Sequence, residues 1–291
     1  MRTTFINTLI KMAKKDERII LVVGDLGFNV VEPFQKEFPK RFFNAGVSEQ
    51  NMASFAAGLA SQGFKVFIYS IANFPTFRCA EQIRNDIDYH NLNVTIVTVG
   101  GGYAYGNLGY SHHAVQDYGL IRLFPNFEIF SPGDPYEVEY CLDQIFKING
   151  PAYLRLNKDK DPNINKKKIV LKKGNFNFIS KKKKRLILTT GSQLSYGRLL
   201  SSDKRFKNYQ LASCPIWSYN QTKSIANNLK KFNEIIVIED HYFSCGFSSF
   251  LLEIINKNNL KLKLKSLNAN EKNMYIAADQ KTLNKIKFKQ V

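Results

Sequence analysis

Three clusters in the first half of this chain have residue types and spacings that could do chemistry. The first is Phe43-Asn44-Ala45-Gly46-Val47-Ser48-Glu49-Gln50-Asn51-Met52, a strand end and a glycine turn that lead into an apolar helix. Ser48 is suited to cap that helix, and Glu49 falls in its first turn, where the positive end of the helix dipole favours a carboxylate. Taken alone, this makes Glu49 a capping residue. The helix behind it (Ala53, Phe55, Ala56, Ala57, Leu59, Ala60) is small and apolar on nearly every face. Such a helix is buried, and a carboxylate at its mouth needs a polar partner. The second cluster is Phe74-Pro75-Thr76-Phe77-Arg78, with two rings that taken alone read as ordinary core. The third is Gly106-Asn107-Leu108-Gly109-Tyr110-Ser111-His112-His113, two adjacent histidines after a run of glycines that includes Gly100–Gly102. That composition is unlike a packed core and suits polar contact with a substrate. With no third ligand nearby it makes a weak metal site.

These clusters need a frame to hold them. Ile19–Val23, Lys65–Tyr69, Val94–Val99, Glu128–Phe130 and Ala152–Leu156 are β-branched or aromatic runs bounded by Gly, Pro or Asn, and read as buried strands. Helical spacing lies between them over Phe5–Ala13, Gln50–Ser61, Thr76–Tyr89, Val115–Leu123 and Pro135–Phe146. This alternation predicts an α/β fold with a mostly parallel sheet covered by helices on both faces. A polar, lysine-rich stretch broken by Pro162 and Gly174 follows, with one expected strand at Ile169–Leu171. A second strand–helix series then runs from Leu186 to Leu267. The expectation is two α/β domains, 1–158 and 181–291, joined by a linker over 159–180.

The segment around Glu49 resembles the Gly-(Ile/Val)-(Ala/Ser)-Glu-Gln-(Asn/His) signature of transketolases and 1-deoxyxylulose-5-phosphate synthases. The resemblance implies a pyrimidine-binding domain of the thiamine diphosphate fold followed by a transketolase C-terminal-like domain. It makes Glu49 the catalytic group that shares a proton with a ring nitrogen of thiamine diphosphate, while the cofactor carries the carbanion chemistry. Val22-Val23-Gly24-Asp25-Leu26-Gly27 resembles the strand opening that domain and brings Asp25 to the cofactor side. Phe74 and Phe77 both fit the aromatic that stacks on the pyrimidine. The loop ending in His112 resembles Gly-Glu-Asp-Gly-x-(Ser/Thr)-His, whose histidine faces the substrate hydroxyls.

Family members hold Mg²⁺ (or Ca²⁺) and the diphosphate with Gly-Asp-Gly and a later Asn, and this chain contains no Gly-Asp-Gly. The resemblance therefore implies an N-terminal transketolase-like partner subunit that carries the metal and diphosphate site, in a two-plus-two heterotetramer. No metal is expected on this chain. The sugar site departs from the family as well. Leu108 replaces an acidic residue, Gly100 replaces a phosphate-contacting histidine, and a phosphate-contacting serine falls near Asn29. Lys158 keeps a basic position, and Arg2 is a further candidate. The implied activity is transfer of a two-carbon ketol unit between sugars, with a modified or nucleotide-linked sugar suited to the roomier pocket. Two alternatives stay open: the beta subunit of a 2-oxo acid decarboxylating dehydrogenase component, and a non-catalytic scaffold or nucleic-acid-binding subunit.

The formal net charge is +18, but it is uneven. Residues 1–150 hold 13 Lys and Arg against 15 Asp and Glu, a net of −2; the rest hold 29 against 9, a net of +20. The half that carries every motif is thus near neutral. Few aromatics interleave with the lysine runs, which argues against nucleic acid as the partner. The four cysteines show no CxxC spacing, and no apolar run approaches the roughly 18 residues of a membrane span. The expected compartment is the cytoplasm, with no membrane association.

Overall fold

A computed structural model describes residues 1–158, 162–180 and 182–287. In chain order the strands are β1 Ile19–Val23, β2 Phe42–Asn44, β3 Lys65–Ile71, β4 Val94–Val99, β5 Glu128–Phe130, β6 Ala152–Leu156, β7 Asn177–Phe178, β8 Arg185–Thr189, β9 Tyr209–Ser213, β10 Ile216–Trp217, β11 Glu234–Ile238 and β12 Lys263–Leu267. They form two sheets, ordered β10-β5-β6-β4-β3-β1-β2 and β12-β11-β8-β9-β7. All pairings are parallel except β5–β10 and β7–β9. The expected α/β class with two helix-flanked, mostly parallel sheets is what the chain adopts.

The period-2 alternation of a strand divides its side chains between two cores. On β1, Ile20 and Val22 face a cluster that includes Met52, Ala53 and Ala56 of helix Glu49–Ser61. Ile19, Leu21 and Val23 face the opposite cluster, with Phe5 and Leu9 of helix Arg2–Ala13 and Leu142 of helix Pro135–Ile145. Parallel β1 is therefore buried along its whole length.

Three local readings are corrected. Ile169–Leu171 forms no strand. Ile169 and Leu171 instead pack against the first-domain core, and the Leu171 carbonyl accepts from Tyr140 Oη at 3.4 Å. Pairing with β9 is made by β7, later in the chain. The single helix expected over Thr76–Tyr89 is divided: Phe74–Phe77, then Ala80–Gln82, then a wider π-type turn over Ile83–Asp88. Pro75 (φ −81°, ψ 20°) and Cys79 (φ −125°, ψ 29°) leave helical geometry there. The helix expected over Val115–Leu123 is shorter, Asp117–Ile121.

The two sheets are joined in a way periodicity does not reveal. β10 crosses back to pair with β5, register Ile216↔Phe130. Trp217 is fully buried among Tyr118, Phe247 and Phe250, and its indole N–H donates to Thr190 Oγ1 at 3.1 Å. A buried ionic knot lies nearby. Arg155 on β6 meets Asp117 at 2.9 Å and Asp240, just beyond β11, at 2.7 Å. Asp240 also accepts from Ser192 Oγ at 2.9 Å. Removing one member of such a knot strands a buried charge, at about 3–5 kcal/mol.

Candidate active site

The candidate residues gather at the carboxyl edge of the first sheet. Glu49 is in the first turn of helix Glu49–Ser61, past the end of β2. Asp25 fixes the approach to it. Its N–H donates to Asn44 Oδ1 at 3.0 Å, and Asn44 Nδ2 donates back to Asp25 Oδ1 at 2.9 Å. Asn44 Oδ1 also accepts from Gly46 N–H at 3.0 Å, which ties the ends of β1 and β2 to the glycine turn. Gly46 has φ +69°, in the region that costs glycine least. Ser48 occupies the N-cap without a side-chain bond to the helix; its carbonyl accepts from Met52 N–H at 2.9 Å.

Glu49 is 3 % exposed, as the apolar helix behind it demanded. Its carboxylate accepts from Arg78 Nη1 at 3.1 and 3.2 Å, while the Arg78 side chain is 49 % exposed. Arg78 also lies 4.1 Å over the Phe74 ring. Phe74 meets His112 edge-on at 5.2 Å, and His112 lies 6.3 Å from Tyr105. Phe77 turns outward, 45 % exposed. Glu49, Arg78, Phe74, His112 and Tyr105 thus form one continuous line. Beneath it, burial pushes the Cys79 thiol up to about 12, with repulsion from Glu49 adding to it. That thiol is inert as a nucleophile.

The histidines differ. His113 is buried, with Nε2 3.3 Å from the Gly106 carbonyl and its ring edge-on to Tyr103; it holds the loop. His112 is half-buried, with Nδ1 2.9 Å from Ser111 Oγ. Burial, the Arg78 charge and His113 lower its pKa, so the ring is neutral near pH 7 and available as acceptor or donor. Asn73 Nδ2 donates to the Ser111 and His113 carbonyls, both at 3.1 Å, and anchors the loop.

Gly100 has φ +84°, and a Cβ there would stand 2.2 Å from the Tyr105 ring. Tyr105 therefore fills the room a side chain at 100 would need. Lys158 Nζ lies 4.6 Å over the same ring and 3.5 Å from the Ala104 carbonyl. Leu108 is exposed beside it. Asn29 stands apart in an exposed left-handed turn (φ +62°), its N–H donating to Glu32 at 2.7 Å. Among the described contacts it meets none of the others.

Sequence reasoning missed Arg78, Asn73 and Tyr105. A signal existed for the first, since Arg78 stands four residues after Phe74, the spacing that lets a cation reach a ring on one helix face. Nothing local marked the other two.

The transketolase pyrimidine-binding domain family matches residues 1–162. The chain belongs to the transketolase family. It is 32 % identical over 277 residues to a transketolase C-terminal section of Methanocaldococcus jannaschii, covering 93 % of this chain and 86 % of that one. It is 28 % identical to one of the subunits of an apulose-4-phosphate transketolase of Actinobacillus succinogenes, covering 96 % and 91 %. Among solved structures it resembles a split-gene transketolase described as an inactive beta4 tetramer, with TM-score 0.81, 25 % identity and coverage of 93 % and 89 %. Over nearly its whole length the chain thus resembles the C-terminal section of a transketolase.

Membership implies thiamine diphosphate, and the residues present fit one end of it. The carboxylate is buried beside a half-exposed arginine, and the neighbouring Phe77 ring is exposed. Among the described residues no group of three acidic, histidine or cysteine side chains could hold a metal. The fit is to the aminopyrimidine end. No described helix is long and apolar enough to cross a membrane.

Proposed function

We propose that this chain is the glutamate-bearing subunit of a thiamine diphosphate-dependent transketolase that moves a two-carbon ketol unit between sugars. Residues 1–158 serve as its pyrimidine-binding domain, 159–180 as a linker and 181–291 as its C-terminal domain. The observation that carries the reading is Glu49: buried, and paired with a half-exposed surface cation rather than with the backbone. An N-terminal subunit supplies Mg²⁺ or Ca²⁺ and the diphosphate contacts, in a two-plus-two heterotetramer.

The cofactor supplies an electron sink for the carbanion formed when a ketose is cleaved. Glu49 holds the proton at the aminopyrimidine ring nitrogen, in a site dry enough for that proton to stay localised. Arg78 swings from Glu49 as the ring enters, which its exposure allows. Phe77 and Phe74 line the ring, and Asp25 steadies the Glu49 turn through Asn44. Neutral His112 takes or gives a proton at a substrate hydroxyl. Lys158 faces the far end of the sugar, with Gly100, Leu108 and Asn29 where polar sugar and phosphate contacts would otherwise stand. Leaving substrate groups unpaired at two positions costs about 1–3 kcal/mol each. Conventional pentose phosphates should therefore be poorer substrates than a modified sugar. The relative named for apulose 4-phosphate supports a sugar of that kind.

The test is reconstitution. Calorimetry should find thiamine diphosphate and Mg²⁺ binding to the chain only with an N-terminal subunit present, and the complex should pass a ketol unit from a ketose to an aldose. Micromolar cofactor binding by the lone chain would overturn the divided site. Lipoyl-dependent decarboxylation of a 2-oxo acid by the complex would overturn the ketol transfer.

A further inference from the structure

The positive charge of the second half has no part in the chemistry of Glu49. Some of it gathers at one edge of the second sheet. β7 is the last strand there; it pairs antiparallel with β9, and no described strand lies beyond it. Strand alternation turns Asn177 inward, where its Nδ2 donates to Glu137 Oε1 at 2.8 Å and to Asn165 Oδ1 at 2.9 Å. It leaves Phe178 outside, 40 % exposed. Two hollows meet at this ring. One, of about 610 Å³, runs along the segment 164–171; the other, of about 370 Å³, reaches Gln210 and Phe232.

The charges around the two hollows have one sign. Lys166, Lys167, Lys168 and Arg198 line the first, and Lys182, Lys183 and Lys231 line the second. No described Asp or Glu lines either one. Lys168 is paired with Asp143 at 3.2 Å, and Lys231 Nζ donates to the neutral Asn228 Oδ1 at 3.4 Å. No described ion pair includes the other five. Lysines alone would blunt a sheet edge against strand pairing, but an exposed ring in their midst works against that end. An apolar centre with a charged rim is instead the anatomy of a docking surface.

We propose that this edge docks an extended acidic segment of another polypeptide, with an apolar side chain seated on Phe178 and carboxylates meeting the lysines on either side of it. Hydrogen bonds between ammonium and carboxylate are about twice as strong as neutral ones, and one aromatic anchor can carry much of the affinity of an interface. An open sheet edge also offers backbone groups to a peptide. Single-stranded nucleic acid suits the edge less well, because it stacks successive bases on successive rings. The rings beside Phe178, those of Phe176 and Phe232 with centroids 6.3 Å away, are buried at 1 % and 7 % exposure. None of Glu49, Arg78, Phe74, His112 and Tyr105 borders either hollow, so the proposal does not depend on ketol transfer.

The test is calorimetry on the full chain at low ionic strength with two blocked peptides of equal charge, Glu-Val-Glu-Phe-Glu-Val-Glu and Glu-Ser-Glu-Ser-Glu-Ser-Glu. The first should bind about tenfold more tightly, since only it brings an apolar anchor. Phe178→Ala should erase that difference. The double substitution Lys182→Glu and Lys183→Glu, on exposed positions where folding is little affected, should weaken the first peptide by about tenfold. Lys263→Glu, on β12 at the opposite edge of the same sheet, should leave its affinity within about twofold. Equal affinity for the two peptides, or equal weakening by Lys263→Glu, would reveal diffuse attraction between charges and overturn the proposal. A single-stranded oligothymidylate that binds more tightly than the first peptide, and loses affinity with Phe178→Ala, overturns the assignment to a polypeptide and makes nucleic acid the occupant.

Discussion

Two buried carboxylates at the carboxyl edges of the two sheets have similar local settings and different fates. Glu49 follows β2 and opens helix Glu49–Ser61; Glu239 follows β11 and meets the start of helix Phe247–Lys257. Glu239 is fully buried and accepts from Phe247 N–H at 2.6 Å, Ser248 N–H at 2.8 Å and Asn268 Nδ2 at 2.7 Å. Its needs are met by fixed groups inside the chain. Glu49 is almost as deeply buried, yet its described partner is one half-exposed arginine. Burial alone does not separate these two carboxylates. The identity of the partner does: backbone amides cannot leave, whereas a surface arginine can give way to a ligand.

The largest expected effect sharpens the Glu49 side. Glu49→Gln keeps the size but cannot share a proton, so turnover of the reconstituted complex should fall on the order of 10²–10⁴-fold while the melting temperature stays within a few degrees. A loss under about threefold would return Glu49 to the role of a cap. On the other side, Glu239→Ala leaves two buried amides unpaired and should cost about 2–4 kcal/mol in denaturant unfolding. A cost under about 0.5 kcal/mol would show that the Glu239 bonds do not hold the helix start, and the contrast would collapse.

A third buried carboxylate offers a finer test. Glu137 accepts from Gly133 N–H at 2.7 Å, Asn177 Nδ2 at 2.8 Å and Ser213 Oγ at 3.0 Å, where helix Pro135–Ile145 meets the second sheet. Burial pushes its pKa from 4.5 to about 7, against those bonds and with Asp134 adding repulsion. Between these values the folded chain holds a proton that the unfolded chain has released. The resulting stability is full below about pH 4.5 and fades as pH rises through about 7. Glu137→Gln removes that slope. The melting temperature of the wild type minus that of the variant should be larger at pH 5 than at pH 8, and parallel profiles would refute the assignment.

Much of the fold was legible because strand and helix periods are local. Ile19–Val23 and Val94–Val99 appear as read, and helix Glu49–Ser61 takes in the expected Gln50–Ser61. The errors fell where partners are distant. Ile169–Leu171 has the composition of a strand, but the neighbouring surface is a helix. Ile216–Trp217 is too short to signal anything until β5 lies beside it. In the site, Glu49 and His112 were marked by composition and motif. Arg78 was in plain text but had no assigned partner, and Tyr105 gained meaning only when Gly100 was seen to make room for it.

By itself the sequence determined the alternating α/β pattern, the glycine turn that leads into Glu49, the histidine loop and the missing metal motif, because each depends on neighbours within a few residues. Only the tertiary structure decided that Glu49 faces an arginine rather than an amide, that Arg155 on β6 meets both Asp117 and Asp240 beyond β11, and that Ala278 meets the glycine loop at Gly106. Those pairings join residues from 29 to about 170 positions apart. Which of many chemically equivalent partners is met over such separations is fixed by packing the sheets and burying the charges together, not by any local preference of the chain.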